Sequence, residues 1–366
     1  MTVALRISCV VAISFIFPCI CGYAATPSSF KLETIIQIPG EPLGNFDIGF
    51  VDPANHRYYF ADRTNKSVEV IDLTNNKFLY HLSGFTGSQG DKALAKTVTS
   101  QTIGPNGVLV IPDKHQVWAG NGDSHIKVFD TSANPPKLIA DINTGGKNRV
   151  DEMDYDPKEN LVVATNDTDS PPFVSFISVA SGFPVLGKLE IPDATDGIEQ
   201  PRYNTRTGMI YQSVPSYKGQ KSIGGFAVID PRKRTIDHMI LVDNCSPAGN
   251  VQGPGDAELM ACQDPKQTVI VNVATGKVIQ SIPQVGGIDE AWYDEKSSAY
   301  YLSARDNPSG PVLGVIDAAT NKWIANVPTA KNSHSVAVDP DTGRVYVPML
   351  PNPVCTRGCV AVFAPQ

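Results

Sequence analysis

One unit is written seven times along this chain. It reads as a short apolar run, often closed by Asp, then a polar turn, then a second run that starts near a Lys or Arg. The copies are "SVEVIDLTNNK", "HIKVFDTSANPPK", "FVSFISVASGF", "FAVIDPRKR", "QTVIVNVATGK", "LGVIDAATNK" and finally "CVAVFAPQ". Before each lies a strand-like run rich in β-branched and aromatic residues: "RYYFAD", "QVWAGN", "LVVATN", "MIYQSV", "ELMACQ", "AYYLSA" and "RVYVPM". Before most of those lies a third run with a turn of the Asp-Pro kind, as in "GFVDPANH", "EMDYDPKEN" and "VAVDPDTG". Asp followed by Pro is the chemistry of a type I turn, since Pro presets φ and the Asp side chain accepts from the turn backbone.

The copies recur at a period of about 48 residues, room for four short strands. Four strands repeated seven times predict an all-β fold, a seven-bladed β-propeller, in which stacking around an axis buries sheet faces that would be wet in isolation. The ends of the chain fit this reading. The last copy stops after "CVAVFAPQ" without a fourth strand, while "FKLETIIQIPG" (residues 30–40) is an orphan strand ahead of the first complete repeat. The N-terminal strand is therefore expected to complete the last blade. An open β-solenoid or a pair of sandwiches would leave these complementary deficits unexplained. Residues 25–366 are read as one propeller domain, with blades two ("PNGVLVIPDKH") and five ("AGNVQGPGD") departing most from the repeat.

The repeats resemble the YVTN-repeat (YncE-like) family of secreted bacterial propellers, in the second-strand copies and the "VID…TNK" or "VATGK" units behind them. The resemblance spans roughly residues 30–366. It implies the propeller fold and a secreted protein, and it carries little about activity, because propellers host many functions.

Residues 1–24 read as a cleaved secretory signal: Arg6, then the apolar run "ISCVVAISFIFPCIC", then small Gly22 and Ala24 before the cut. That run is shorter than the roughly 20 residues that cross a bilayer. No membrane insertion is expected after cleavage, and the location is secreted or periplasmic. Three of the seven cysteines fall in this leader. The remaining four fit disulfides in an oxidising compartment, with Cys355–Cys359 bridging "CTRGC" and Cys245–Cys262 as the second pair. Net charge is −7 with no basic run, which argues against nucleic acid as a partner.

In a propeller the first strand of each blade runs innermost along the central channel. Stepping back five residues from each first turn gives a ring at the channel mouth: Asp47, Asn106, Asp151, Glu199, Ala248, Asp289 and His334. The next positions are Ile48, Gly107, Glu152, Gln200, Gly249, Glu290 and Ser335. Strand alternation is expected to send only one set into the channel, and the first is the more uniformly polar. Asp47, Asn106, Asp151, Glu199, Asp289 and His334 are thus the candidate ligand-binding residues.

Asp151, Glu199, Asp289 and Asn106 form the candidate set for one divalent cation, Ca²⁺, or Zn²⁺ or Mn²⁺ if His334 joins. The alternative is a polar channel lining that holds water alone. Arg149 beside Asp151 reads as charge compensation or as a clamp for a carboxylate. Asp167 and Asp169 in "NDTDSPPF" read as a solvated turn, and Asp196 as a possible addition to the mouth.

Two functions follow. One is a binding module, a monomer holding a small molecule or a protein partner at the channel face. The other is a metal-dependent hydrolase of the lactonase kind, or more faintly a lyase, with Glu199 or His334 as candidate catalytic groups. No Gly-x-Ser-x-Gly elbow is present, which argues against serine hydrolysis.

Overall fold

A computed structural model describes residues 29–87 and 101–366. The expected signal at 1–24 lies outside the described residues. The chain builds seven four-stranded antiparallel sheets in a ring, the predicted seven-bladed propeller. The first blade pairs Gly49–Asp52, Arg57–Asp62, Ser67–Asp72 and Lys77–Ser83 in order. Successive innermost strands contact one another around the axis, and Ala337–Asp339 of blade seven contacts Gly49–Asp52 of blade one to close the circle.

The repeated Asp residues make the turns. Asp52 Oδ1 accepts from the Asn55 amide at 3.1 Å, Asp156 from Lys158 at 2.8 Å, and Asp339 from Asp341 at 3.1 Å. At the third-strand ends Asp72, Asp130 and Asp317 accept in the same way from Thr74, Ser132 and Thr320. The residue that re-enters the next strand takes the left-handed conformation, with φ of 52° at His56, 51° at Asn76 and 56° at Asn321. A type I turn followed by a left-handed residue joins antiparallel strands without splaying them.

The N-terminal strand closes the last blade as expected. Phe30–Ile36 pairs antiparallel with Cys359–Pro365, from Phe30 opposite Pro365 to Ile36 opposite Val360. It carries a register shift between Leu32 and Thr34. The other six outer strands bear a matching shift against their third strands, as at Val70/Ile71 and Val315/Ile316. The borrowed strand is therefore built as a seventh outer strand, with the bulge that raises blade twist.

Seven apolar clusters fill the seven blade interfaces. The cluster between blades seven and one joins Ile36 and Val360 to Phe46, Tyr58 and Phe60. Both expected disulfides form. Cys245–Cys262 lies in the blade four–five cluster and Cys355–Cys359 in the six–seven cluster. Two disulfides fit an oxidising, extracellular environment. Among the described residues no helix is long and apolar enough to cross a membrane.

Candidate functional site

The innermost strands begin at one face of the disc, so their opening residues meet at the channel mouth although they lie far apart in the chain. Asp47, Asp151, Glu199, Asp289 and His334 line one cavity of about 190 Å³. Five of the six predicted ligand-binding residues are thus together. Asn106 is not among the lining residues. It is fully buried, its amide nitrogen donating to the Ile103 and Val150 carbonyls at 2.9 Å each, and its oxygen taken by Arg63 at 2.7 and 3.1 Å.

The expectation that one set alone faces the channel needs correcting, because Ile48 and Glu152 of the second set line the same cavity. The innermost strand presents its edge to the axis, and its side chains project toward the blades on either side. Several second-set residues reach the following blade. Gln200 Oε1 accepts from the Asn250 amide at 2.8 Å, Glu290 Oε2 from Val336 at 2.9 Å, and Ser335 Oγ from Gly49 at 2.9 Å. Where the set has Gly107 or Gly249, the backbones approach so closely that a Cβ would lie 2.4 Å from the Asp151 or Asp289 carbonyl oxygen.

Three arginines complete the mouth. Arg63 pairs with Asp47, and its guanidinium lies 3.4 Å from the Phe46 carbonyl. Arg149 grips Asp151 at 2.7 Å and Asp167 at 2.5 Å. Arg305 pairs with Asp289 at 2.9 Å, and Gln263 donates to the same carboxylate at 2.8 Å. Of the two readings of Arg149, charge compensation describes these contacts. Arg63 and Arg305 were not singled out in the sequence, although a signal was there. With Asp167 they occupy the position directly after the second-strand copies "RYYFAD", "LVVATN" and "AYYLSA". Laying that position around the ring would have revealed a second tier of charge.

His334 is buried, stacks at 4.6 Å on Phe46, and donates from Nδ1 to the Asn332 carbonyl at 2.7 Å. Its Nε2 lies 3.3 Å from Asp47 Oδ1. These contacts describe a wall of the cavity held on three sides.

The "NDTDSPPF" loop is not the solvated turn expected. Asp167 is buried against Arg149, and Asp169 accepts from the Lys147 and Asn148 amides at 2.9 and 3.2 Å, fixing the connection into blade three. Asp196 is exposed and outside the cavity lining.

Two carboxyls differ from the rest. The Glu199 side chain has no hydrogen-bond or ion-pair partner among the described residues. Glu152 is 8% exposed, and its Oε2 is buried without a partner. Burial, reinforced by Asp289 and Asp167, pushes the Glu199 carboxyl up to about 8 against the pull of Arg149 and Arg305. Burial also pushes Glu152 well up, against Arg202 and with Glu290, Asp151 and Glu199 adding repulsion. Asp47 goes the other way: burial opposes its charge, but Arg63 and His334 outweigh it and hold its carboxyl well below the usual range.

The donor set does not fit a divalent cation. Asp151 and Asp289 are committed to arginines, the Asn106 oxygen is taken by Arg63, and among the described residues no three His, Cys, Asp or Glu groups gather to hold an ion. A larger groove of about 590 Å³ opens at the rim between blades two and three. Its carboxylate, Asp141, is already bound by Lys127 and His125.

No family model matches the chain, and no curated protein does. Among solved structures the chain is similar to a chain in the crystal structure of the mitotic checkpoint complex. The TM-score is 0.65 at 11% identity, covering 100% of this chain and 99% of that one. At that identity the likeness shows a shared fold and nothing finer.

Proposed function

We propose that this protein is a secreted binding module that holds a small polar ligand in the mouth of its channel. The observation that carries the reading is the charged cavity itself, in which five acidic and three arginine side chains converge on about 190 Å³. The arginines account for Asp47, Asp151 and Asp289, and the unpaired carboxyls of Glu199 and Glu152 are what calls for a ligand. The volume lies below the roughly 300–1,000 Å³ of pockets for drug-sized ligands, which favours a compact molecule. The pairing of each arginine with a carboxylate holds the walls in place before any ligand arrives, the condition for binding without reordering cost.

Secretion rests on the leader and the two disulfides, and the YVTN-repeat reading on the second-strand copies with the "VID…TNK" or "VATGK" units behind them. The lactonase-type reading depends on a divalent ion, for which the donor set is unsuited, and no contact favours it.

The test is a thermal-shift screen of small polar compounds on the mature protein, beside Asn45→Trp. Asn45 is half-buried and lines the cavity, while its backbone N–H and C=O are held by Thr64, so a bulky side chain narrows the mouth and leaves those bonds intact. Compounds that stabilise the natural protein and not Asn45→Trp support the reading. If no compound distinguishes the two proteins, the reading fails.

A further inference from the structure

Within the cavity, the donors and acceptors are out of balance. Each of the three guanidiniums already has a carboxylate partner: Arg63 with Asp47, Arg149 with Asp151 and Asp167, and Arg305 with Asp289. An anionic ligand would therefore face walls on which four paired carboxylates already outnumber three guanidiniums. The carboxyls left without a partner among the described residues are those of Glu199 and Glu152, both lining the cavity and the latter nine-tenths buried. A ligand that completes the site must bring N–H donors and positive charge.

We propose that the mouth binds a small organic cation, an alkylammonium or guanidinium, whose N–H groups donate to the carboxylates of Glu199 and Glu152. The inference rests on the channel-mouth reading above and adds the chemical class of the ligand. Charge-assisted N–H to carboxylate bonds in a shielded cavity are about twice as strong as neutral ones, which gives two such contacts enough strength to select a cation.

The surroundings of both groups support the same class. Glu199 faces Asp289, Asp167, Arg149 and Arg305, and Glu152 faces Arg202, Glu290, Asp151 and Glu199. Around each, burial and neighbouring acids outweigh the arginines and raise the carboxyl's hold on its proton, which an arriving cation opposes. Cation affinity therefore tightens as pH rises from 6 toward Glu199's value of about 8.

The experiment is isothermal titration of the mature protein with 1,4-diaminobutane, L-lysine and L-arginine, beside 1,4-butanediol and acetate. The variants are Glu199→Gln, Glu152→Gln and Asn45→Trp, with Glu33→Gln as a distant control on the outer strand of blade seven. The expected result is saturable binding of at least one cation, tighter at pH 8 than at pH 6. Glu199→Gln and Glu152→Gln each weaken it by about 10- to 100-fold, and Glu33→Gln leaves it unchanged.

If Glu152→Gln does not fold, Glu199→Gln decides alone, because that change removes no bond within the protein. Cation binding that neither Gln variant alters overturns the inference, as does the absence of binding by all three cations. If butanediol or acetate binds in an Asn45-dependent way while the cations do not, the cation class is wrong and the channel-mouth reading survives. If no probe binds and Asn45→Trp changes nothing, both fall.

Discussion

Closure of the disc by its N-terminal strand predicts a sharp contrast between two residues four apart. Ile36 is 3% exposed and sits in the cluster between blades seven and one, with Val360, Val362 and Tyr346. Leu32 lies on the same strand, also paired with the C-terminal strand, but is 38% exposed. Ile36→Ala removes three buried carbons, which at about 0.8 kcal/mol each comes to roughly 2.4 kcal/mol. The cavity left behind raises this toward about 4 kcal/mol if the neighbours cannot collapse. Leu32→Ala also removes three carbons, but at 38% exposure they are only partly buried and leave no closed cavity, so the cost is expected to stay at about 1–1.5 kcal/mol. The assay is urea unfolding of the oxidised protein, comparing midpoints at equal slope. A loss for Ile36→Ala as small as that for Leu32→Ala would show that the strand does not hold the ring shut, and the closure argument would be refuted.

Stability should also depend on pH in an unusual direction. Burial pushes the Glu258 and Glu290 carboxyls up to about 8 and Glu69 up to about 9. In the folded chain these groups keep protons that the unfolded chain has released above its usual glutamate range, so stability falls as pH rises from about 4.3 toward 8. Denaturation midpoints measured from pH 5 to 8.5 should decline, and Glu258→Gln, which can keep the bond from Asn204 Nδ2 at 2.9 Å, should flatten that decline. A flat profile in the natural protein would contradict it. Gly107→Ala should cost about 1–3 kcal/mol, because its Cβ would meet the Asp151 carbonyl oxygen at 2.4 Å and force blades two and three apart. Gly44→Ala, whose Cβ would meet nothing nearer than 3.6 Å, should stay within about 0.5 kcal/mol in the same thermal melts.

Much of the architecture was legible along the chain because its causes are local. Asp at strand ends, left-handed residues before re-entry and alternating apolar runs each act over a few residues, so they repeat visibly and count the blades. The missing outer strand after residue 366 and the spare one before residue 40 likewise specified closure without any distance being known. The mouth was legible only in part. Equivalent positions in a repeat must cluster around an axis, which is why stepping back from the turns found Asp47, Asp151, Glu199, Asp289 and His334. Which charges cancel which could not be read that way. Arg63 on blade one bonds Asn106 on blade two, and Ser335 on blade seven receives the Gly49 amide of blade one. The sequence by itself determined seven blades and the ring of acids. Only the tertiary structure decided that most of those acids are neutralised and that Glu152 and Glu199 are left open, because electrostatic pairing depends on side-chain reach across blade interfaces, which no spacing along the chain encodes.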